Sequence, residues 1–435
     1  MPERPRFRWA AVGAGATLLA TLLASCGGGS APVASRVTVA PVTVAPRWTG
    51  RASTILTGAA SGWVVGTDPA SIQAGGPNAN RRPLWALYRV TGPTAVDVTP
   101  TGITTRGGLT VSAPAPDVAW AGIGSYRQQL DGAVAVTTDG GRNWTDGVLP
   151  GLFDPVPDGL VAPDAVHAWV LLGQGSAQSV VTTSDAGGSW LTVASSGAVL
   201  GADSSRCGLS GIGMSGGVLW LGTICSGPGP ALLFRSTPVG TGAPAALGWT
   251  AVPVGPSLAP RAHAVATPPG TAQTGPDRIL VTTSATLSVA GISAAAGGTG
   301  TAPPAVVGAV SVSPVGAASS APPEAVWASL AAPFGAVLAT PAAGPPAAAP
   351  PSTGSAAVAL SVTDDGGGSW APASPPVPSA GRYGAVGVDT AGAIWVVGSD
   401  PSGPTLWVSP DAGAHWSSVR LPPPDTAAGL PAAGS

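Results

Sequence analysis

Five arginines share one position in the sequence and could bind an anion together. Four lie 12 to 14 residues before a tryptophan, and the fifth precedes an apolar run that lacks one; they are Arg51, Arg106, Arg206, Arg382 and Arg261. Guanidinium groups that converge form a fork for carboxylate or phosphate oxygens. The alternatives are that each arginine pairs with an aspartate of a neighbouring repeat, or lies exposed. We therefore treat an anion site, with Tyr383 next to Arg382, as a hypothesis.

Residues that would support catalysis are sparse. The chain has three tyrosines, three histidines and, besides Glu3, one glutamate, Glu324. Glu324 precedes Trp327, which we assign below to the second strand of its repeat, so we expect Glu324 on the face opposite the arginines. No nucleophile elbow, phosphate-binding loop or spacing of metal ligands occurs. We predict no catalytic set, no cofactor and no metal site.

An eight-residue repeat occurs four times and predicts how the chain folds. Its form is Ser/Thr-x-Asp-x-Gly-x-x-Trp, and its copies span residues 137–144, 183–190, 363–370 and 409–416. An aspartate can accept backbone N–H groups in a tight turn, and glycine permits the positive φ that the turn needs. The repeat therefore indicates a turn between two strands, with structural roles for Asp139, Asp185, Asp365, Asp411, Trp144, Trp190, Trp370 and Trp416.

A second tryptophan position recurs ahead of these turns, about every 50 residues. Its members are Trp63, Trp120, Trp169, Trp220, Trp327 and Trp395, and the apolar run from Arg278 to Thr283 fills a seventh place. One further copy of the eight-residue repeat has decayed, with Ser236 in place of aspartate and Trp249 retained. Each unit is predicted to have four short strands, with the recurring tryptophan on the second. Periods of this size indicate a β-propeller.

We therefore predict an all-β protein, a single seven-bladed β-propeller of four-stranded antiparallel blades over residues 46–421. A stretch rich in Pro and Ala at 341–355 is expected to be an insertion, and residues 422–435 a disordered tail. The turns of the eight-residue repeat and the arginines should lie on opposite faces. The tryptophans are expected to pack blade against blade.

The eight-residue repeat resembles the Asp-box, or BNR repeat, of sialidase-like β-propellers. The resemblance covers residues 46–421 and extends to non-catalytic propellers of the photosystem II assembly-factor type. It implies that a ligand lies on the face away from the Asp-boxes, which is the arginine face. It implies a binding or assembly scaffold for a protein or an anionic glycan. The alternatives are a sialidase-like exo-α-glycosidase, although the family's Arg-Ile-Pro segment is missing, and an accessory subunit of an envelope complex.

The N-terminus predicts export. Arginines at positions 4, 6 and 8 precede an apolar run, and Leu23-Ala-Ser-Cys26 resembles a bacterial lipobox. The resemblance implies a signal peptide at 1–26, lipidation of Cys26 and a tether at 27–45, at the outer face of the cytoplasmic membrane. A plain secretory signal or an anchor helix remains open.

Charge and cysteine content narrow the class of partner. The 18 basic residues nearly balance 20 acidic ones, which argues against a nucleic acid. We expect a monomer.

Cys207 and Cys225 flank the turn signal Ser215-Gly-Gly217, so a hairpin would place them opposite each other. In an exported protein we expect a disulfide, with a free pair as the alternative.

Overall fold

The fold was analysed in a computed structural model. It describes residues 53–58, 61–68, 84–100, 108–123, 133–149, 157–173, 178–215, 217–225, 232–239, 247–253, 263–265, 278–282, 287–293, 305–312, 325–331, 333–340, 359–365, 369–376, 382–400 and 403–422. These residues all belong to one compact unit, Ala45–Ser435. The predicted signal peptide with Cys26, the tether, the insertion at 341–355 and all of the tail but its first residue lie outside the described residues.

The described strands form seven four-stranded antiparallel sheets, each built from four consecutive strands. Sheet 1 contains β1 (Ser53–Gly58), β2 (Ser61–Asp68), β3 (Leu84–Thr91) and β4 (Thr94–Asp97), and sheet 2 contains β5 (Leu109–Ala115), β6 (Val118–Ile123), β7 (Ala133–Thr137) and β8 (Thr145–Val148). Sheet 3 contains β9 (Pro157–Val161), β10 (Ala168–Leu172), β11 (Ser179–Thr183) and β12 (Leu191–Ser195), and sheet 4 contains β13 (Cys207–Ser215), β14 (Val218–Cys225), β15 (Leu232–Pro238) and β16 (Trp249–Pro253). Sheet 5 contains β17 (His263–Val265), β18 (Arg278–Thr282), β19 (Leu287–Ser293) and β20 (Ala305–Val312). Sheet 6 contains β21 (Ala325–Ala331), β22 (Phe334–Thr340), β23 (Ala359–Thr363) and β24 (Ala371–Ala373). Sheet 7 contains β25 (Arg382–Val388), β26 (Ile394–Asp400), β27 (Gly403–Ser409) and β28 (Ser417–Arg420). The all-β prediction is confirmed.

A short helical connection joins sheet 3 to sheet 4. Helix α1 (Ser196–Leu200) begins after Ser195, whose side chain accepts a hydrogen bond from the N–H of Ala198, and a 3₁₀ helix follows at Gly201–Ser205. Within the described ranges, no helix is long and apolar enough to cross a membrane.

The recurring tryptophans pack one sheet against the next. On the second strands of five sheets their side chains are at most 6% exposed; they are Trp63, Trp120, Trp169, Trp220 and Trp395. Two of them also meet the tryptophan of the eight-residue repeat in the following sheet. The ring centroids of Trp63 and Trp144 are 6.5 Å apart, and those of Trp120 and Trp190 are 6.4 Å apart, both edge to face.

The first strands of successive sheets contact one another. The contacts run from β1 to β5, β9, β13, β17, β21 and β25 in turn, and β25 also contacts β1. Sheets 1 and 7 share an apolar cluster that includes Tyr88, Trp395 and Leu421. Among the described strands, each of these two sheets is built from its own stretch of chain, and side-chain packing joins the two sheets.

Two assignments made from spacing are wrong. Trp327 lies on β21, the first strand of sheet 6, and not on the second. In sheet 4, Trp220 pairs with Arg235, so Ser236 takes the place of the first residue of the eight-residue repeat and not of its aspartate. Strand β14 continues two residues further beyond Trp220 than β10 does beyond Trp169, which pairs with Thr182, so the repeat position lies two residues later in sheet 4.

The predicted disulfide is confirmed. Cys207 and Cys225 are directly opposite each other in the β13–β14 pair and are bonded. Both side chains are buried.

Candidate functional site

The eight-residue repeat forms a turn in which the polar atoms of its aspartate and its threonine or serine are engaged. In the first copy the Thr137 hydroxyl donates to Asp139 Oδ1 at 2.9 Å and accepts the N–H of Gly141 at 2.9 Å. The Asn143 N–H donates to Asp139 Oδ1, and the Asn143 side-chain amide donates to Oδ2 at 2.6 Å. The other three copies make the corresponding bonds to their aspartates from Ser189, Ser369 and His415. A carboxylate committed in this way holds the turn closed.

These hydrogen bonds favour the ionised carboxylates. Bonds from the backbone and the side chain of Asn143 lower the pKa of Asp139 to about 2. The His415 side chain and backbone do the same for Asp411, whose pKa is also about 2. The Ser189 side chain and backbone lower the pKa of Asp185. These three aspartates therefore remain ionised throughout the neutral range.

Two of the repeat turns also donate an indole hydrogen bond to the sheet before them. The indole N–H of Trp144 donates to the carbonyl of Val98, just beyond β4, at 2.9 Å. The indole N–H of Trp416 donates to the carbonyl of Ser374, just beyond β24, at 3.0 Å. A Cβ placed on Gly141 would lie 2.6 Å from the Cβ of Val98, so this glycine is required by the close approach. These residues therefore connect neighbouring sheets.

The five candidate arginines share a place relative to the first strands. Arg382 begins β25 and Arg206 directly precedes β13. Arg51, Arg106 and Arg261 lie outside the described residues, two to three positions before β1, β5 and β17 in the chain. For Arg382 and Tyr383 only the backbone is described, as the first two residues of β25.

Arg206 is the candidate arginine whose side-chain surroundings are described. Its Nε donates to Asp203 Oδ1 at 2.8 Å, and its backbone N–H donates to the Asp203 carbonyl at 3.0 Å. The Arg206 and Asp203 side chains are 31% and 38% exposed. The guanidinium therefore already has a carboxylate beside it, contributed by its own segment.

A buried amide braces the connection that carries Arg206. The Gln178 side chain donates to the Leu209 carbonyl and accepts the Leu209 N–H, both at 2.6 Å, and the Gln178 carbonyl accepts the N–H of Ser196. Partial burial raises the pKa of Asp158 on β9, while a hydrogen bond from Gln178 opposes that shift. Gln178 thus links β13 to sheet 3 and to the start of α1.

Two arginines that spacing did not single out contact tryptophan rings in sheets 1 and 4, which have no intact eight-residue repeat. The guanidinium of Arg89 lies 5.3 Å from the Trp63 ring centre and 3.8 Å from Asp117 Oδ1 of sheet 2. The guanidinium of Arg235 lies 5.8 Å from the Trp220 ring centre. Both stand opposite a second-strand tryptophan on the third strand. That register, rather than a motif, is the signal that could have found them.

Metal ligands are not gathered anywhere in the described part of the chain, since no group of three His, Cys, Asp or Glu side chains there could hold an ion. Two histidines instead lie beside aspartates of turns. His167 Nδ1 lies 2.9 Å from Asp164 Oδ2, and His415 Nδ1 lies 2.6 Å from Asp411 Oδ2.

Comparison with known proteins identifies the fold alone. Neither protein-family models nor characterised proteins match the sequence. Among solved structures, a GH74 enzyme from Niastella koreensis is 14% identical with a TM-score of 0.51, and the match covers 86% of this chain and 54% of that one. A prolyl endopeptidase is 11% identical with a TM-score of 0.51, over 86% and 48% of the two chains. The chain thus spans about half the length of each.

A third structure, of YCF48 bound to D1 peptide, is 16% identical over 74% of this chain and 83% of that one. Its TM-score of 0.42 is too low to support an inference. The neighbours support a β-propeller fold. At these identities they say nothing about chemistry.

Proposed function

We propose that the protein is a non-catalytic binding scaffold that holds an acidic segment of a partner protein, or an anionic glycan, at an arginine-lined channel mouth. The seven sheets would be the blades of one closed ring, and the mouth would be the face on which the first strands begin. We further propose that lipidation of Cys26 tethers this ring to the outer face of a bacterial cytoplasmic membrane.

The observation that carries the proposal is the succession of contacts between first strands, which includes the contact of β25 with β1. Seven sheets of the same strand order, packed side by side as blades, would begin their first strands on the same face. Five of those seven strands have one of the candidate arginines at or within three residues of their start. Arginine forks on a rigid frame suit carboxylates or sulfates, because little order is lost on binding.

The test is binding of a fluorescein-labelled deca-glutamate peptide to the full-length protein, followed by fluorescence anisotropy at two salt concentrations. Replacing the five arginines by glutamine should weaken binding at least tenfold and flatten its salt dependence. Arg420→Gln is the matched control, because Arg420 is exposed on the outer strand β28. Unchanged affinity in the fivefold variant, or no binding by the unmodified protein, would overturn the proposal.

Glycoside hydrolysis is the second candidate, and the position of β21 favours it. Strand β21 is a first strand and contacts β25, the first strand of the next sheet. Glu324 directly precedes β21 in the chain, and Tyr383 is the second residue of β25. The reason for expecting Glu324 with the repeat turns, that Trp327 lies on a second strand, no longer applies; Glu324 itself lies outside the described residues. Tyrosine and glutamate entering adjacent first strands are the pair that the sialidase resemblance requires.

A fluorogenic α-sialoside separates the two candidates. Turnover by the full-length protein that falls at least 100-fold in both Tyr383→Phe and Glu324→Gln would establish hydrolysis. Turnover indistinguishable from the buffer blank, with the acidic peptide still bound, would leave the scaffold function alone.

A further inference from the structure

We propose that Asp203 is an internal competitor for the proposed anion site: it occupies the Arg206 guanidinium in the free protein, and an acidic ligand must displace it. The inference rests on the proposed function and adds to it a residue that sets the affinity. Asp203 Oδ1 lies 2.8 Å from Arg206 Nε, at the edge of the guanidinium where a ligand carboxylate would bind.

The pair is fixed by its backbone before any ligand arrives. Asp203 lies in the 3₁₀ helix, and Arg206 directly follows that helix. The Arg206 backbone N–H donates a hydrogen bond to the Asp203 carbonyl. This i to i+3 geometry brings the two side chains together at little additional entropic cost. Asp203 therefore stays close to Arg206 even when its carboxylate moves aside.

Buried groups on both sides of the pair hold that backbone in place. Upstream, Val199 and Leu200 of the helical connection are buried in the cluster shared by sheets 3 and 4. Downstream, Cys207 directly follows Arg206 and is bonded to Cys225. The guanidinium therefore stands on a rigid base at the start of β13, as a binding residue should.

The pair remains open to exchange because it is not sealed from water. The Arg206 and Asp203 side chains are 31% and 38% exposed, so a ligand carboxylate can approach without unfolding the connection. Ion pairs of this exposure are weak, so their loss is a modest cost to the ligand. Removing the Asp203 charge should therefore strengthen binding by roughly two- to fivefold.

The experiment measures binding of the labelled deca-glutamate peptide to the full-length protein and to Asp203→Asn, with inorganic phosphate as a competing anion. The amide keeps the size of the side chain and leaves the backbone bond to Arg206 intact. Asp146→Asn is the matched control, because it removes the same charge from an exposed position on the outer strand β8. We expect a two- to fivefold gain in affinity for Asp203→Asn and less than half that gain in the control.

A double variant separates direct competition from a general charge effect. In the Arg206→Gln background the Asp203→Asn gain should disappear, because the competition needs both partners. Equal gains in Asp203→Asn and Asp146→Asn, or a gain that persists without Arg206, would overturn the inference while leaving the proposed function intact. If the unmodified protein binds neither peptide nor phosphate and Asp203→Asn does not either, the proposed function fails and the inference with it.

Discussion

At the scale of single residues, the two neighbouring glycines of the first repeat turn differ in how closely they approach the rest of the protein. Gly140 and Gly141 have φ of +74° and +87°. The place of Gly140 is taken by Ala186 and Ala412 in other copies, at φ of 57° and 54°. A Cβ on Gly140 would meet nothing nearer than 3.4 Å, whereas one on Gly141 would lie 2.6 Å from Val98.

We therefore predict that Gly141→Ala costs about 3 kcal/mol, from positive φ together with overpacking against sheet 1. Gly140→Ala should cost at most about 1 kcal/mol, because only the strain of positive φ applies. The lower conformational entropy of the unfolded variant chain offsets part of that strain. Urea unfolding of both variants measures the difference. Equal losses would show that Val98 yields easily and that the contact between the sheets is loose.

The low pKa of the turn aspartates predicts an acid limit to stability. Asp139 has a folded pKa of about 2 against an ordinary value of 3.8, so its ionised form is favoured by folding. Its contribution is complete above about pH 4 and is lost as the pH falls towards 2. Asp139→Asn should lower the melting temperature at pH 6, and its difference from the unmodified protein should shrink to near zero by pH 2. Asp146→Asn serves as control, and a gap for Asp139→Asn that stays constant down to pH 2 would contradict this account.

At the scale of elements, the β13–β14 hairpin carries a covalent constraint in addition to its strand pairing. The disulfide joins residues 18 positions apart at the open end of the hairpin. Closing a loop of this length in the unfolded chain is worth about 3 kcal/mol. Replacing Cys207 and Cys225 by alanine should lower the free energy of unfolding by about that amount, measured in urea. Dithiothreitol should destabilise the unmodified protein but not the variant, and an equal effect on both would exclude the bond as the cause.

The elements also show where sequence reasoning succeeds and where it fails. The repeat turns and five second-strand tryptophans could be placed because a turn with positive φ and a large buried ring restrict residue type strongly. The assignment of Trp327 to a second strand is wrong because the core of a sheet needs apolar volume at that position and not a particular residue type. In sheet 6 the register puts Ala336 where the tryptophan was expected, and Phe334 and Trp416 pack around it.

The candidate site could be predicted only as positions along the chain. Arginines near the starts of first strands follow from spacing, since every unit has the same order of strands. The ion pair of Arg206 with Asp203 does not follow from spacing, because side chains three positions apart become neighbours only where the connection is helical. The partners of an arginine depend on such local connections, which vary most between otherwise equivalent units.

At the scale of the whole molecule, the described parts of the first and last sheets share a cluster of buried side chains. Val64, Tyr88 and Val90 of sheet 1 pack with Trp395 and Leu421 of the C-terminal part in one buried cluster. Leu421 follows the last strand, is 1% exposed, and is held by a bond from its N–H to the Pro404 carbonyl. The described strands of sheets 1 and 7 each stay within their own sheet, so this cluster contributes to the cohesion between the two sheets.

We predict that Leu421→Ala lowers the free energy of unfolding by about 3 kcal/mol, because it empties a buried site where sheets 1 and 7 meet. Leu191→Ala is the matched control: Leu191 is 50% exposed on β12, so its loss should cost less than about 0.5 kcal/mol. Hydrogen exchange then distinguishes a local from a shared defect. Amide protection should fall together in β2, β3 and β26, since both sheets rely on the cluster. Loss confined to sheet 7 would mean that sheet 1 is stable by itself, and that the two ends of the chain associate without depending on each other.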